Sequence, residues 1–134
     1  MSPRRIAGTL LLAALLFAAI TLYALEGLEV VVVHTRGRDG SAKQTRTWIA
    51  DADGFSWIEA ATPERPFFQQ LLENPEVEVE RDGTRRRYLA TPVENPRGNA
   101  HIRGLLAERY GWADAWVGML TDTSGSVEVR LQPQ

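Results

Sequence analysis

Positive charge, glycine and hydroxyl groups converge at one place in this 134-residue chain, the run TRGRDGSAKQTRTWI from 35 to 49. Arg36, Arg38, Lys43 and Arg46 are its cations, Ser41, Thr45 and Thr47 its hydroxyls, and Gly37 would let backbone amides come close to a bound group. These are the parts of a phosphate cradle, and a phosphorylated cofactor, if one is bound, belongs here. Trp48, Trp57 and Phe68 are flat apolar side chains suited to line a slot beside it. Each feature also has a plainer reading. A basic loop between strands is commonly a solvated hairpin tip, and the more ordinary role of the three aromatics is barrel core. His34 closes an apolar strand and reads as a satisfied core histidine, and His101 reads as a surface residue on a helix. Neither has a partner at metal-ligand spacing, and no serine stands in a sharp-turn motif beside a base.

The elements that must position these residues follow from periodicity. LEVVVVH, with four consecutive valines at 30–33, predicts a strand buried on both faces. TRTWIAD predicts a second strand, DADG a turn and FSWIEA a third. Thr62 is placed as a helix N-cap with Pro63 in the first helical position, and the helix carries Phe67, Phe68, Leu71 and Leu72 to a stop at Asn74 and Pro75. In EVEVERDGTRRRYLATPVE, Val77 and Val79 alternate with glutamates, and Asp82 and Gly83 make a two-residue turn. The returning strand sets Arg85, Arg86 and Arg87 opposite the acids. A second helical region follows Asn95 and Pro96, carries Ile102, Leu105, Leu106 and Tyr110, and is broken at Gly111 before Trp112, Trp116 and Val117. SVEVRLQ alternates as the last strand.

Ahead of these elements, Ile6 to Leu25 is a run without charge. As a helix it rises about 30 Å, the thickness of a bilayer core. It predicts three segments: a cytoplasmic stub at 1–5, a transmembrane helix or signal anchor at 6–25, and one folded domain at 26–134. A cleaved signal peptide with Arg4 and Arg5 as its basic region is the alternative, and a buried soluble helix a third. Arg4 and Arg5 before the run, with Glu26 and Glu29 after it, orient the domain to the outer, periplasmic side of a single-pass membrane protein. Of 15 Lys and Arg two precede the run, while all 17 Asp and Glu follow it, so the domain is acidic and bulk nucleic-acid binding is excluded. The chain has no cysteine, so neither disulfides nor thiolate metal ligands contribute.

Taken together, TRGRDGSAKQTRTWI at 35–49, FFQQLLENPEVEVERDG at 67–83 and YGWADAW at 110–116 resemble the deazaflavin-dependent nitroreductase and quinone reductase family. That family is a branch of the split-barrel flavin-binding proteins that includes the pyridoxamine phosphate oxidases. The resemblance covers most of 28–131 and leaves the apolar run outside. It implies an α+β fold, mainly β: a six-stranded antiparallel split β-barrel with two helical segments, here preceded by one transmembrane helix. It implies FMN or a deazaflavin as cofactor, held by Arg36, Gly37, Arg38, Ser41, Lys43, Thr45, Arg46, Thr47, Trp48 and Phe68, and a homodimer. The expected activity is reduction of a quinone-like or nitroaromatic acceptor beside the bilayer that holds residues 6–25. Gln44 stands where the family has proline, and Ala60 and Ala61 where it often has a glycine pair. These departures motivate the alternative, a non-catalytic ligand-binding or structural accessory module of a membrane complex.

Overall fold

The computed structural model describes residues 2–93 and 99–134. A long helix, α1 (Pro3–Glu26), leads into β1 (Val31–Arg36), β2 (Ala42–Thr47), β3 (Ala50–Ala52) and β4 (Phe55–Ala60). Then come α2 (Pro66–Glu73), the hairpin β5 (Glu76–Arg81) and β6 (Thr84–Val93), helices α3 (Ala100–Tyr110) and α4 (Trp112–Leu120), and β7 (Val127–Pro133). The strands form one antiparallel sheet in the order β2-β1-β5-β6-β7-β4-β3, curled into a split barrel.

Both edges of that sheet come from a single run of chain. The sequence predicts one strand in TRTWIAD, and the structure breaks it at Trp48 and Ile49, so β2 stays with β1 while β3 pairs with β4. This break is why there are seven strands rather than six. The backbone groups it exposes need partners, since a buried orphan amide is costly. Tyr110 of α3 supplies them: its hydroxyl accepts from the Ile49 N–H at 3.1 Å and lies 2.7 Å from the Glu29 carbonyl, to which it donates.

The two tight hairpins behave as their Asp-Gly pairs require. Asp53 and Gly54 have φ of 56° and 80°, and Asp82 and Gly83 have 51° and 75°, the left-handed values of a two-residue turn that matches strand twist. Across β5 and β6, Val77 and Val79 enter the barrel core with Val31, Val33, Ile58, Val129 and Leu131, closed from one end by Phe67, Phe68 and Leu71 of α2. A second apolar layer, on the outer face of β3 and β4, joins Ala50 and Trp57 to Ile102, Leu106, Tyr110 and Ala113, and to Ala24 at the end of α1.

Three expectations are corrected. β1 is not buried on both faces: Val31, Val33 and Thr35 face the core, whereas Val32 and His34 are only half-buried, because among the described residues no full layer covers the outer side of that strand. The α2 helix starts at Pro66 rather than Pro63, with Arg65 as its N-cap residue, and 62–65 form a turn closed by the Arg65 N–H on the Thr62 carbonyl. His101 is not a free surface residue; its Nδ1 lies 2.9 Å from the buried Glu128 carboxylate, and its ring meets Trp57 edge-on. The expected break at Gly111 is present, at φ 52°, between α3 and α4. The residues Asn95 and Pro96, expected to open the helical region, lie outside the described residues.

The junction between α1 and the barrel is held by charge. Glu29 receives Arg81 at 2.7 Å and Arg109 at 2.6 Å, and Arg81 also grips Asp51 at 2.9 Å. Glu26 pairs with Arg46. Hydrogen bonding from Arg81 holds the Asp51 carboxyl below its ordinary 3.8.

Two outcomes follow from this layer. Tyr110→Phe removes the only side-chain partner that the described residues give the Ile49 N–H and should cost about 1–3 kcal/mol in thermal unfolding of the detergent-solubilised full chain. Asp51 is ionised in both folded and unfolded chains at neutral pH, so its pairing contributes fully there. As pH falls below about 5, the unfolded chain takes up the proton first and that contribution fades. Asp51→Asn should therefore lower stability at pH 7 and flatten the acid limb of a plot of Tm against pH; an unchanged acid limb would remove the assignment.

Candidate functional site

The register of β1 with β2 sets Lys43, Thr45 and Thr47 opposite Thr35, Val33 and Val31, on the face of the strand that turns into the barrel. Because β2 is an edge, that face looks across a gap to the segment joining β4 and α2. The gap is a cleft of about 240 Å³, walled by Lys43, Thr45 and Thr47 on one side and by Ala61, Thr62 and Arg65 on the other. Among the described residues neither Lys43 nor Arg65 has an ion-pair partner. The Thr45 hydroxyl is buried and finds no hydrogen-bond partner among them.

A second cleft, about 260 Å³, adjoins the first through Arg46, Thr47, Glu59 and Ala61. Its walls are apolar, from Leu25 at the end of α1, Val30, Trp48, Leu106 and Val117. Trp48 lies flat against Tyr110, ring centroids 4.3 Å apart and planes within 10°. The polar end is a closed network: Arg103 binds Glu59 at 2.9 Å and Asp114 at 2.6 Å, and the Ser126 hydroxyl donates to Glu59 at 2.8 Å. The two acids thus share one guanidinium where they meet the cleft.

The ten residues singled out from sequence are thus distributed over several places. Lys43, Thr45, Arg46 and Thr47 meet in the β2 cleft, and Trp48 lines the adjoining one with Arg46 and Thr47. Arg46 is engaged with Glu26, which raises its already high pKa. Arg36 lines a separate cavity of about 600 Å³ with Lys43, Arg85 and Arg87, where Glu76 and Glu78 also lie. Gly37, Arg38 and Ser41 lie in another depression against α2. There the turn closes on itself: the Gly37 N–H donates to the Ser41 carbonyl at 2.8 Å, and the Ser41 hydroxyl donates to Asp39 at 2.6 Å, lowering the pKa of that acid. The Arg38 N–H is taken by Glu73 of α2, and Gln70 bridges Thr35 and Ser41. A Cβ on Gly37 would come within 2.9 Å of Asp39 Oδ1, so a side chain there would have to displace the carboxylate that Ser41 holds. Phe68 faces the barrel core. Trp57 is core as well, its indole N–H on the Ala52 carbonyl.

Sequence reasoning missed Arg65, Glu59, Arg103 and Asp114. Arg65 was readable only from the correct helix start, because a cation just before Pro66 stands at the helix mouth rather than in its first turn. The other three come together across 44 and 11 residues of separation, which no local pattern reports.

The sequence matches no protein-family model and no curated protein. Among solved structures the fold recurs. A candidate pyridoxamine 5′-phosphate oxidase from Listeria innocua is 17% identical, with 89% of this chain and 94% of that one aligned and a TM-score of 0.59. An F420 reductase is 21% identical over 84% and 92% of the two chains, with a TM-score of 0.57. The heme storage protein of Vibrio cholerae is 14% identical over 87% of each chain, with a TM-score of 0.59. The chain therefore has the split-barrel fold of these proteins.

Arg103→Met keeps the bulk of the side chain but strands Glu59 and Asp114 without their cation. Breaking a buried ion pair from one side is worth about 3–5 kcal/mol. With the arginine partly exposed, a loss at or below the lower end is expected in thermal unfolding, whereas a loss under about 0.5 kcal/mol, the range of ordinary surface changes, would show that the network holds nothing.

Proposed function

We propose that this chain is a membrane-tethered oxidoreductase that holds FMN or a deazaflavin such as F420 in the β2 cleft and reduces a quinone-like or nitroaromatic acceptor. The observation that carries the reading is the inner face of β2, where Lys43, Thr45 and Thr47 look across to Arg65 and the Thr45 hydroxyl has no partner among the described residues. A buried unpaired hydroxyl costs about 1–3 kcal/mol, and an acceptor oxygen seated at the cleft wall would recover it. Lys43 and Arg65 would hold the phosphate end by charge-assisted hydrogen bonds. Trp48 and the apolar walls of the adjoining cleft would take the flat ring system, with Glu59 held by hydrogen bonds from Arg103 and Ser126.

When bound, the cofactor supplies hydride transfer, and the protein has only to orient it and exclude water. The tether supports the choice of acceptor. α1 is long and apolar enough to span a bilayer, and Leu25 and Glu26 at its end form part of the cleft wall, so a lipid-dissolved quinone would meet the cleft at the membrane surface. With Arg4 and Arg5 before the helix, the barrel sits on the periplasmic side. A homodimer belongs to the same reading. The second reading, a binding module without turnover, is favoured by the 37–41 turn, whose polar groups are spent on one another and on α2.

Titration of the full chain in detergent with FMN and with F420, followed by fluorescence, tests the site. Lys43→Glu should weaken binding at least tenfold, about 1.4 kcal/mol. Arg38→Glu, lying against α2 outside the cleft, should leave it unchanged. Unchanged affinity in both Lys43→Glu and Arg65→Glu would remove the site, and binding with no reduction of menadione by the reduced complex would favour the module without turnover.

A further inference from the structure

The α4 helix turns Asp114, Val117 and Gly118 toward the apolar cleft, and the rest of its surface is unusual. Its nine residues, WADAWVGML, hold one ionisable group, Asp114, and that group is buried against Arg103. What it shows to solvent is apolar: Trp112 is 52% exposed, Met119 73% and Leu120 50%. A charge-free, tryptophan-rich face of this kind is poorly matched to water.

The same helix packs on α1, and on its apolar run. Trp112 stacks on Tyr23 with centroids 6.0 Å apart, Trp116 lies 5.3 Å from the Phe17 ring, and the Trp116 indole N–H donates to the Thr21 hydroxyl at 2.9 Å. At about 1.5 Å of rise per residue, Thr21 lies about 7.5 Å and Phe17 about 13.5 Å along the helix from Glu26. Helices that lie in a membrane interface sit about 5–10 Å into it. An α1 that enters a bilayer with its apolar run therefore carries α4 into the headgroup and upper acyl region.

We infer that α4 is a second membrane contact, an interfacial helix that lies in the lipid surface beside α1 and seats the barrel on the bilayer. The inference rests on the reading of α1 as a membrane helix. Its own support is the composition of α4 and the continuity of its exposed face with the exposed leucines of α1. Tyr23, Trp112 and Trp116 then form an aromatic belt at the depth where such rings are enriched. The occupant of the face is lipid rather than a protein partner, because the depth imposed by the Phe17 and Thr21 contacts leaves the α4 surface among headgroups and upper acyl chains.

The absence of cysteine makes the test direct. Met119→Cys, Leu12→Cys and Ala42→Cys, at exposed positions on α4, on α1 and at the end of the β1–β2 hairpin away from α1, are each labelled with an environment-sensitive fluorophore in the full chain. Each is reconstituted into phosphatidylcholine–phosphatidylglycerol vesicles, with and without lipids bearing an acyl-chain nitroxide. The inference expects the labels at 119 and 12 to lose most of their emission to the nitroxide lipid and the label at 42 to keep it. Quenching at 12 without quenching at 119 overturns the inference and leaves the anchor standing. A label at 119 that is shielded from aqueous iodide but not quenched by lipid also overturns it, because protein then covers the face. No quenching at 12 removes the anchor reading, and the inference falls with it.

Discussion

One phenol hydroxyl holds the point at which this barrel opens. The chain from Ala42 to Ala52 has to leave β1 and reach β4, and at Trp48 and Ile49 its backbone belongs to neither ladder. Tyr110 reaches that gap from α3, takes the Ile49 amide, donates to the Glu29 carbonyl and stacks its ring on Trp48. Sheet, junction and helical layer are thereby tied at a single buried atom. Both clefts exist because the two halves of the run diverge there, so their position is a consequence of how this break is satisfied.

Electrostatics serves this geometry more than it advertises a ligand. An acidic domain would be expected to keep its carboxylates in water, yet Glu128 is 2% exposed and Asp114 7%. Each is matched from another element, Glu128 by His101, and Asp114 with Glu59 by Arg103. Buried pairs of this sort return little net stability, since desolvation offsets much of the attraction, but they penalise any arrangement that separates the partners. Here they fix α3 and α4 against β4 and β7, on the side where the apolar cleft lies.

Local patterns carried much of the architecture. Period-two alternation in β5 and β7, the Asp-Gly pairs and the break at Gly111 were readable because each depends on neighbours in sequence. The misreadings share a different cause. Four valines in β1 look buried on both sides, but burial of the second face requires a covering layer that only the tertiary arrangement can grant or withhold. Pro63 and Pro66 offer the same helix-starting chemistry, and packing of Phe67 and Phe68 into the core selects the second. The basic run at 35–49 supplied true members of the β2 cleft, yet it could not show that its tip would fold onto α2. That depends on Gln70 and Glu73, some thirty residues away.

The short connection between α1 and β1 has a mechanical side. Only Gly27 to Val30 separate the helix from the strand, and the joint is braced on both flanks, Glu26 to Arg46 and Glu29 to Arg81 and Arg109. Such a joint has no slack in which the barrel could swivel. Helix and barrel turn as one lever, so a change in the tilt or rotation of α1 swings the mouth of the apolar cleft through the same angle.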